Sequence, residues 1–309
     1  MSKLKTFFKL LKTDRKTIAY SLFLNLKNWR ILRLLSDRTY IRLAYRCCVG
    51  EKLNLKNPIT FSEKLQWLKL NDRKKEYTLM VDKHAVKGYV ASKIGEQFII
   101  PTIAVWNTLE EIDFDILPNK FVLKWNHDSG SIVICKDKSA LDKAQAIDKL
   151  KRGSVKNGYW FGREWPYKNV KPCIIAEELL EDSDQVDLTD YKFFCFNGEP
   201  KYCQIIRDRS TNQTVDFYDM EWTYQFFTGL GPCITGSNVE KPNRLDEMVE
   251  ICRSLSEGLA FSRIDLYLVN GNIYFGEITF YPASGFGKFY PEEWNKILGD
   301  LLVIPCEVK

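Results

Sequence analysis

The sequence predicts an α+β fold in which antiparallel hairpins alternate with helices. Two observations carry this. Asn197-Gly198 and Asn270-Gly271 each stand between runs rich in β-branched and aromatic residues, the pattern of a two-residue hairpin turn. Between the hairpins, Arg244 to Gly258 spaces Leu245, Met248, Ile251, Cys252 and Leu255 at three and four residues, as one face of a helix does.

The elements follow in order. Residues 1–57 hold 14 Lys and Arg against 3 Asp and Glu, a net +11, so the remaining residues sum to −6 within the overall +5. Phe7, Phe8, Leu10, Leu11, Leu22, Phe23, Leu26, Trp29, Ile31, Leu32 and Leu35 are interleaved with that charge, which predicts a basic amphipathic helical extension. Such a helix either packs on the main domain as a brace, the first reading, or makes peripheral contact with an anionic membrane surface. Nucleic acid is the weakest partner, because the rest of the chain is acidic and carries no nucleic-acid motif. After Asn57-Pro58, Thr60 and Glu63 have capping-box spacing and start a helix through Leu65, Trp67, Leu68 and Leu70. A second helix is predicted over Lys83 to Ile94, and a short strand over Phe98 to Ile100. Strands are predicted at Phe121–Trp125, Ser131–Cys135, Cys173–Glu177, Lys192–Phe196, Lys201–Ile206, Arg263–Val269 and Ile273–Thr279, with a closing helix over Glu292 to Leu298. Gly153 to Lys171 is aperiodic and reads as a long, lid-like loop.

Composition narrows the class. With 45% hydrophobic and 28% charged residues the chain is an ordinary globular one. No uncharged apolar run nears the ~20 residues a bilayer crossing needs. The start, Met1 to Lys12, has no small-residue cleavage site, so neither an integral membrane nor a secreted protein is expected. Nine scattered cysteines without a Cys-x-x-Cys, and only His84 and His127, argue against a zinc site and for a reducing cytoplasm.

The chemistry centres on Arg263-Ile264-Asp265 and Glu277-Ile278-Thr279. Strand alternation puts Arg263, Asp265 and Tyr267 on one face, and Glu277 and Thr279 share a face of the neighbouring strand that can lie beside them. Two converging carboxylates need a counter-ion, and Mg²⁺ with phosphate oxygens is a natural one. Taken alone, the pair reads first as a surface acidic pair flanking a hairpin. Other pieces shift that balance: Lys124 before the small polar loop Asn126 to Ser131, Lys83 at a helix start, Glu177 to Leu180 at a strand end, Asp190 and Lys192 on the next strand, then Arg207 and Arg209.

That order resembles the ATP-grasp superfamily, and the segments resemble its TupA-like branch, associated with surface polysaccharides. The blocks are NPITFSEKLQWLKLNDR (57–73), DKHAVKGYV (82–90), KFVLKWNHDSGS (120–131), IIAEELLED (174–182), DYKFFCFNGEPKY (190–202), DFYDMEW (216–222) and RIDLYLVNGNIYFGEITFYPASGFGKFYPEEWNKILGD (263–300). The resemblance implies an ATP-grasp fold over residues 58–309, in which two α+β subdomains (about 82–175 and 176–309) grip ATP. It also implies an acylphosphate made from a carboxylate and Mg²⁺-ATP, then displaced by an amine or thiol. Carried over, Lys83 and Lys124 are implied as phosphate lysines, and Ser129, Gly130 and Ser131 as part of the phosphate loop. The peptide groups of Glu177, Glu178, Leu179 and Leu180 are the implied adenine hinge, with Asp190 on ribose or substrate. Lys192 and Arg207 are implied as basic residues for phosphate or carboxylate, and Arg263 for the transferring phosphoryl group. Asp265 and Glu277 are the implied Mg²⁺ carboxylates; Thr279 stands where better-known members have Asn. Ser284-Gly285 stands at an implied substrate loop.

The leading function is therefore an ATP-dependent carboxylate–amine ligase, amidating a uronic acid of a surface or capsular polysaccharide with an amino acid or amine. The alternatives are a glycosyltransferase using Asp182-Ser183-Asp184 as a DxD, or a nucleotide-binding scaffold without turnover. Trp160, Phe161, Trp165 and Tyr167 stack on a sugar in one reading and pin their loop to its own core in the other, commoner one. His127 reads as a phosphate or solvent neighbour.

Overall fold

A computed structural model describes residues 30–305, except 156, 184, 232, 233 and 237. The helices are α1 (Asp37–Cys48), α2 (Phe61–Asn71), α3 (Glu76–Val81), α4 (Val86–Ile94), α5 (Lys143–Ser154), α6 (Gly158–Gly162), α7 (Leu245–Ser256) and α8 (Trp294–Leu301). The strands are β1 (Thr102–Trp106), β2 (Phe121–Trp125), β3 (Val133–Cys135), β4 (Ile174–Glu178), β5 (Asp190–Phe196), β6 (Glu199–Arg207), β7 (Thr214–Asp219), β8 (Thr228–Gly229), β9 (Phe261–Val269), β10 (Asn272–Thr279) and β11 (Phe289–Tyr290).

Two antiparallel sheets organise the chain: a smaller one in the order β1-β4-β2-β3 and a larger one in the order β10-β9-β5-β6-β7, with β8 and β11 as a short ribbon. Each has its own core. In the smaller sheet Phe121, Leu123, Trp125, Ile174 and Ala176 face α5, where the Trp125 indole donates to the Leu150 carbonyl at 2.8 Å. Alternation leaves Lys124 and Glu177 on the opposite face. The larger sheet packs α7 against one face and belongs to a core that extends through α1, α2 and α4. Val86 and Val90 of α4 lie in this larger core, while β4 stays wholly in the smaller sheet through Glu178.

Both Asn-Gly turns form as the sequence predicts, with positive φ at Asn197, Gly198, Asn270 and Gly271. The capping box is complete: Thr60 Oγ1 accepts from the Glu63 amide, and Glu63 accepts from the Thr60 amide. Elsewhere the structure corrects the sequence. Phe98 to Ile100 is not a strand, because a 3₁₀ turn over Glu96–Phe98 ends there and Pro101 has no N–H to begin a ladder; the strand starts at Thr102. The helix expected from Lys83 begins at Val86, after a turn in which the Asp82 carboxylate accepts from the His84 and Ala85 amides. The edge strand β7 was not expected.

Gly153 to Lys171 is not a lid-like loop but a packed strap made of the end of α5, α6 and a 3₁₀ turn over Trp165–Asn169. Its pieces are too short to show a period. Arg163 is 1% exposed and bonds the carbonyls of Leu32 and Leu35 at 2.8 and 3.3 Å, beneath the rings of Tyr40, Tyr159 and Trp160. The Tyr40 hydroxyl donates to the Phe161 carbonyl at 2.8 Å. The strap thereby ties Leu32 and Leu35, which pack against the main core, to the body of the protein. Trp29 and the apolar and basic residues before it lie outside the described residues. Among the described residues no helix is long and apolar enough to cross a membrane, and the described cysteines are free thiols.

Helix α8 packs against α2 so closely that a Cβ on Gly299 would stand 2.3 Å from the Ile59 carbonyl and 2.7 Å from the Phe61 amide. Gly299→Ala is therefore expected to destabilise the protein by about 1–3 kcal/mol, read as a lower midpoint in urea unfolding.

Candidate functional site

The hairpin β9–β10 creates the acidic centre through an irregularity. Regular pairing runs from Asn272↔Val269 to Phe275↔Leu266, and continued regularly it would set Glu277 opposite Ile264, on the α7 face. A bulge at Gly276 shifts the register by one, so that Glu277 faces Asp265 and Thr279 faces Arg263. Glycine suits the position, since a Cβ there would come within 3.1 Å of both the Asp265 carbonyl and the Tyr267 ring.

Arg263 binds the buried Asp265 carboxylate with two prongs, Nε to Oδ1 at 2.6 Å and Nη2 to Oδ2 at 2.7 Å. The same Nη2 reaches Glu277 Oε1 and Thr279 Oγ1, each at 3.1 Å. Lys192, opposite Asp265 on β5, ion-pairs with it and lies 3.3 Å from Asp190, whose other oxygen takes Arg209 Nε at 2.6 Å. Lys83 approaches from the turn before α4. Its Nζ is 3.4 Å from Glu277 Oε2 and donates to the Asp128 carbonyl at 3.1 Å, so one ammonium joins the larger sheet to the loop of the smaller one. Burial works to raise the Glu277 carboxyl, but Lys83, Arg263 and Lys192 outweigh it and hold it well below the carboxylate range. The counter-ions of the acidic centre are thus side chains of the protein itself.

A second ionic group lies on the free face of the smaller sheet. The buried Glu177 carboxylate takes Lys87 at 2.7 Å on one oxygen and Lys124 on the other. Burial opposes its charge, yet the two lysines keep its carboxyl below the ordinary value. Lys87 is also fixed by the Ile100 carbonyl at 2.7 Å and Thr102 Oγ1 at 2.6 Å. The loop after β2 is anchored by Asn126, which accepts from the Cys173 amide and donates to the Lys171 carbonyl, both at 2.9 Å. Past this anchor Ser129 and Gly130 are exposed, with Gly130 at φ 95°, and Ser131 is buried. His127 is buried edge-on against Trp125 and beside Asn126 Oδ1.

Most of the expected residues gather here; some do not. The register places Arg207 with Ile205 on the α7 face, opposite to Lys192, where it lies 3.6 Å from Asp216. Glu177 was expected to contribute its peptide, but its side chain is what the two lysines share. Glu178 is exposed and its amide already serves the Pro101 carbonyl at 3.1 Å, while Leu179 and Leu180 lie half-buried on the segment leaving β4. Asp182 and Ser183 are tied to Asn270 of the hairpin turn, and Asp184 lies outside the described residues.

Sequence reasoning missed Lys87 and the pairing of Arg209, and it missed a buried polar group beneath the site. Ala283, Ser284 and Gly285 are consecutive left-handed residues, costly for the first two. Gln66 of α2 donates to the Ser284 and Gly285 carbonyls at 3.1 and 2.8 Å. Lys69, fully buried on the same helix, donates to Gln66 Oε1 at 3.0 Å and to the Gly162 and Ser284 carbonyls at 2.7 and 2.6 Å. The signal available was Gln66 and Lys69 among α2's apolar residues. Burial pulls Lys69 down to about 7, against the opposing pull of Glu164.

Among the described residues no three His, Cys, Asp or Glu side chains gather to hold a metal ion. Asp265, Glu277 and Thr279 form a smaller oxygen set, of the kind that Mg²⁺ uses when phosphates complete its shell. A family model described as TupA-like ATPgrasp matches residues 63–303. No curated protein matches. Among solved structures, D-alanine–D-alanine ligase from Bacillus anthracis complexed with ATP is similar at 16% identity and TM-score 0.38, over 70% of this chain and 55% of that one. The chain thus spans little more than half of that ligase. The ATP-grasp ligase PsnB complexed with minimal precursor is similar at 12% identity and TM-score 0.43, over 89% and 74%, and D-cycloserine synthetase DcsG at 14% and 0.39, over 73% and 71%.

Two outcomes follow from the electrostatics. Glu177→Gln leaves Lys87 and Lys124 facing each other without their anion, and is expected to lower stability by roughly 3 kcal/mol, measured by urea unfolding at pH 7. Lys69 binds its proton more weakly folded than unfolded, so its penalty is full below pH 7 and fades as pH rises towards the unfolded value near 10.4. Across that window the wild type should gain up to ~1.4 kcal/mol per pH unit relative to Lys69→Met; parallel unfolding curves at pH 6.5, 8 and 9.5 check this.

Proposed function

The chain belongs to the TupA-like ATP-grasp family, and on that premise we propose that it is an ATP-dependent ligase joining a carboxylate to an amine through an acylphosphate. The observation that carries this reading is Lys83, whose ammonium spans Glu277 of one sheet and the Asp128 carbonyl of the other sheet's loop. Six cations (Lys83, Lys87, Lys124, Lys192, Arg209 and Arg263) and four carboxylates (Glu177, Asp190, Asp265 and Glu277) meet there between two sheets, an excess of positive charge that a metal-bound triphosphate complements. Lys83, Lys87, Lys124 and the loop Asn126 to Ser131 bind the phosphates. The segment Glu177 to Leu180 borders the adenine, and Asp190 the ribose or substrate. The two sheets with their separate cores are the two subdomains.

Asp265, Glu277 and Thr279 hold Mg²⁺, which when bound neutralises phosphate charge. Arg263 stabilises the charge that builds on the transferring phosphoryl group, in a buried setting where a fixed guanidinium acts strongly. Lys192 orients Asp265 and completes the cationic side, and Arg209 fixes Asp190. Arg207 has no part in this reading, and Asp182, bound to a hairpin turn, does not favour a glycosyltransferase. The family supports a substrate from surface polysaccharide, with a uronic acid as carboxylate and an amino acid or amine as nucleophile. The +11 charge of residues 1–57 supports a peripheral contact with anionic membrane from the cytoplasmic side.

The test is release of ADP and phosphate from Mg²⁺-ATP over a panel of uronic acids and amines, beside thermal shifts with ATP and with a UDP-sugar. A shift by the UDP-sugar alone, without ADP release, overturns the ligase. Asp265→Asn and Glu277→Gln are expected to lower turnover by about a hundredfold or more. Both should also lower the melting temperature, because each strands cations that are paired in the wild type. Wild-type turnover in either variant would refute the metal assignment.

A further inference from the structure

We propose that Glu164 and Ser284 form the seat for the ammonium group of the amine substrate, an assignment that rests on the ligase reading above. Glu164 differs from the four ion-paired carboxylates of the site. Glu177, Asp265, Glu277 and Asp190 each contact two cations. The half-buried Glu164 carboxylate has the Ser284 hydroxyl as its side-chain hydrogen-bond partner and no ion pair among the described residues. Lys69, the cation whose charge acts on it most strongly, has its three bonds with Gln66, Gly162 and Ser284 oxygens. Burial raises the Glu164 carboxyl, and its partner Ser284 lies on the turn that directly follows β10, five residues beyond Thr279, which brings the pair to the end of the strand that carries Glu277.

Two features built into the chain hold the pair in place. The Lys69 ammonium clamps the Gly162 and Ser284 carbonyls together, fixing the two segments that carry Glu164 and Ser284. Gly162 leaves room, since a Cβ there would stand 2.5 Å from Ser284 Oγ and 3.0 Å from Glu164 Oε1. A carboxylate offers only acceptors and its charge is costly to leave unpaired, so the ligand that suits it brings positively charged N–H donors. A primary amine, which reaches the enzyme as an ammonium ion, is that ligand; an anion is repelled. In the second half-reaction the amine nitrogen bonds to the acyl carbon and the carbon–oxygen bond to phosphate breaks, phosphate leaving with the electron pair. Of the two protons the ammonium gives up, one goes to phosphate and one to solvent.

Hydroxylamine separates the seat from the rest of the reaction, because it is an uncharged nucleophile at neutral pH and traps the acylphosphate without needing an anionic seat. ADP release is measured with Mg²⁺-ATP and a panel of uronic acids, using either hydroxylamine or glycine, ethanolamine and lysine, for wild type and Glu164→Gln. The expected result is a KM for the cationic amine that rises about tenfold or more beyond any change in the KM for hydroxylamine. Equal changes for both nucleophiles, or no change for the amine, overturn the seat and leave the ligase standing. No ADP release by the wild type with either nucleophile overturns the ligase and the seat with it. Should Glu164→Gln fail to fold by circular dichroism, Ser284→Ala carries the same comparison, alanine being accommodated in the same backbone conformation at residue 283.

Discussion

The architecture of the site depends on one requirement: carboxylates withdrawn from water must be matched by cations held at fixed distances. Arg263 meets it within one hairpin by gripping Asp265 and reaching Glu277 and Thr279 together. Lys192 meets it from the neighbouring strand, and Lys83 from a turn far away in sequence. Glu177 repeats the solution on the smaller sheet with Lys87 and Lys124. Because each match joins different elements, the ion pairs also set how the two sheets stand relative to each other. The groups proposed to bind phosphates are already occupied by internal partners, so a nucleotide bound there would exchange ion pairs rather than create them from solvated charges.

Much of this was legible in the sequence, and what was not has physical reasons. The Asn-Gly turns and the Thr60–Glu63 box announce themselves because their chemistry is local. Arg263, Asp265, Glu277, Lys83, Lys124 and Lys192 were legible through resemblance in ordered blocks, not through spacing. Spacing alone misleads at Glu277, since strict alternation from the turn sends it to the wrong face, and only Gly276 hints at the bulge. Arg207 illustrates the reverse error: a basic residue on the next strand looks equivalent to Lys192 until the register shows that odd and even positions of β6 face opposite ways. The strap from Gly153 to Lys171 was unreadable because no piece of it is long enough to show a period, and its order comes from a buried arginine on carbonyls distant in sequence.

Helix α2 teaches a related lesson. Its apolar residues suffice to predict a buried helix, but they do not explain why Ser62, Gln66 and Lys69 are also buried. Their partners are the Asn295 side chain and the carbonyls of a turn more than 200 residues away. A helix that is polar on a buried stripe is serving the backbone of something else, here a left-handed turn that could not hold itself.

The bulge at Gly276 makes the length of β10 an asymmetric quantity. In the count of the ladder this glycine is one residue more than regular pairing needs. A chain lacking it would still set its glutamate opposite Asp265, in a flatter strand with a different aim. A chain with one further residue at the same point, and no second bulge to absorb it, would turn the glutamate towards α7 and bring Ile278's successor positions out of phase with Arg263. Descendants of this sequence can therefore shorten this strand by one residue and keep the facing of the acid, whereas lengthening it by one inverts the strand beyond.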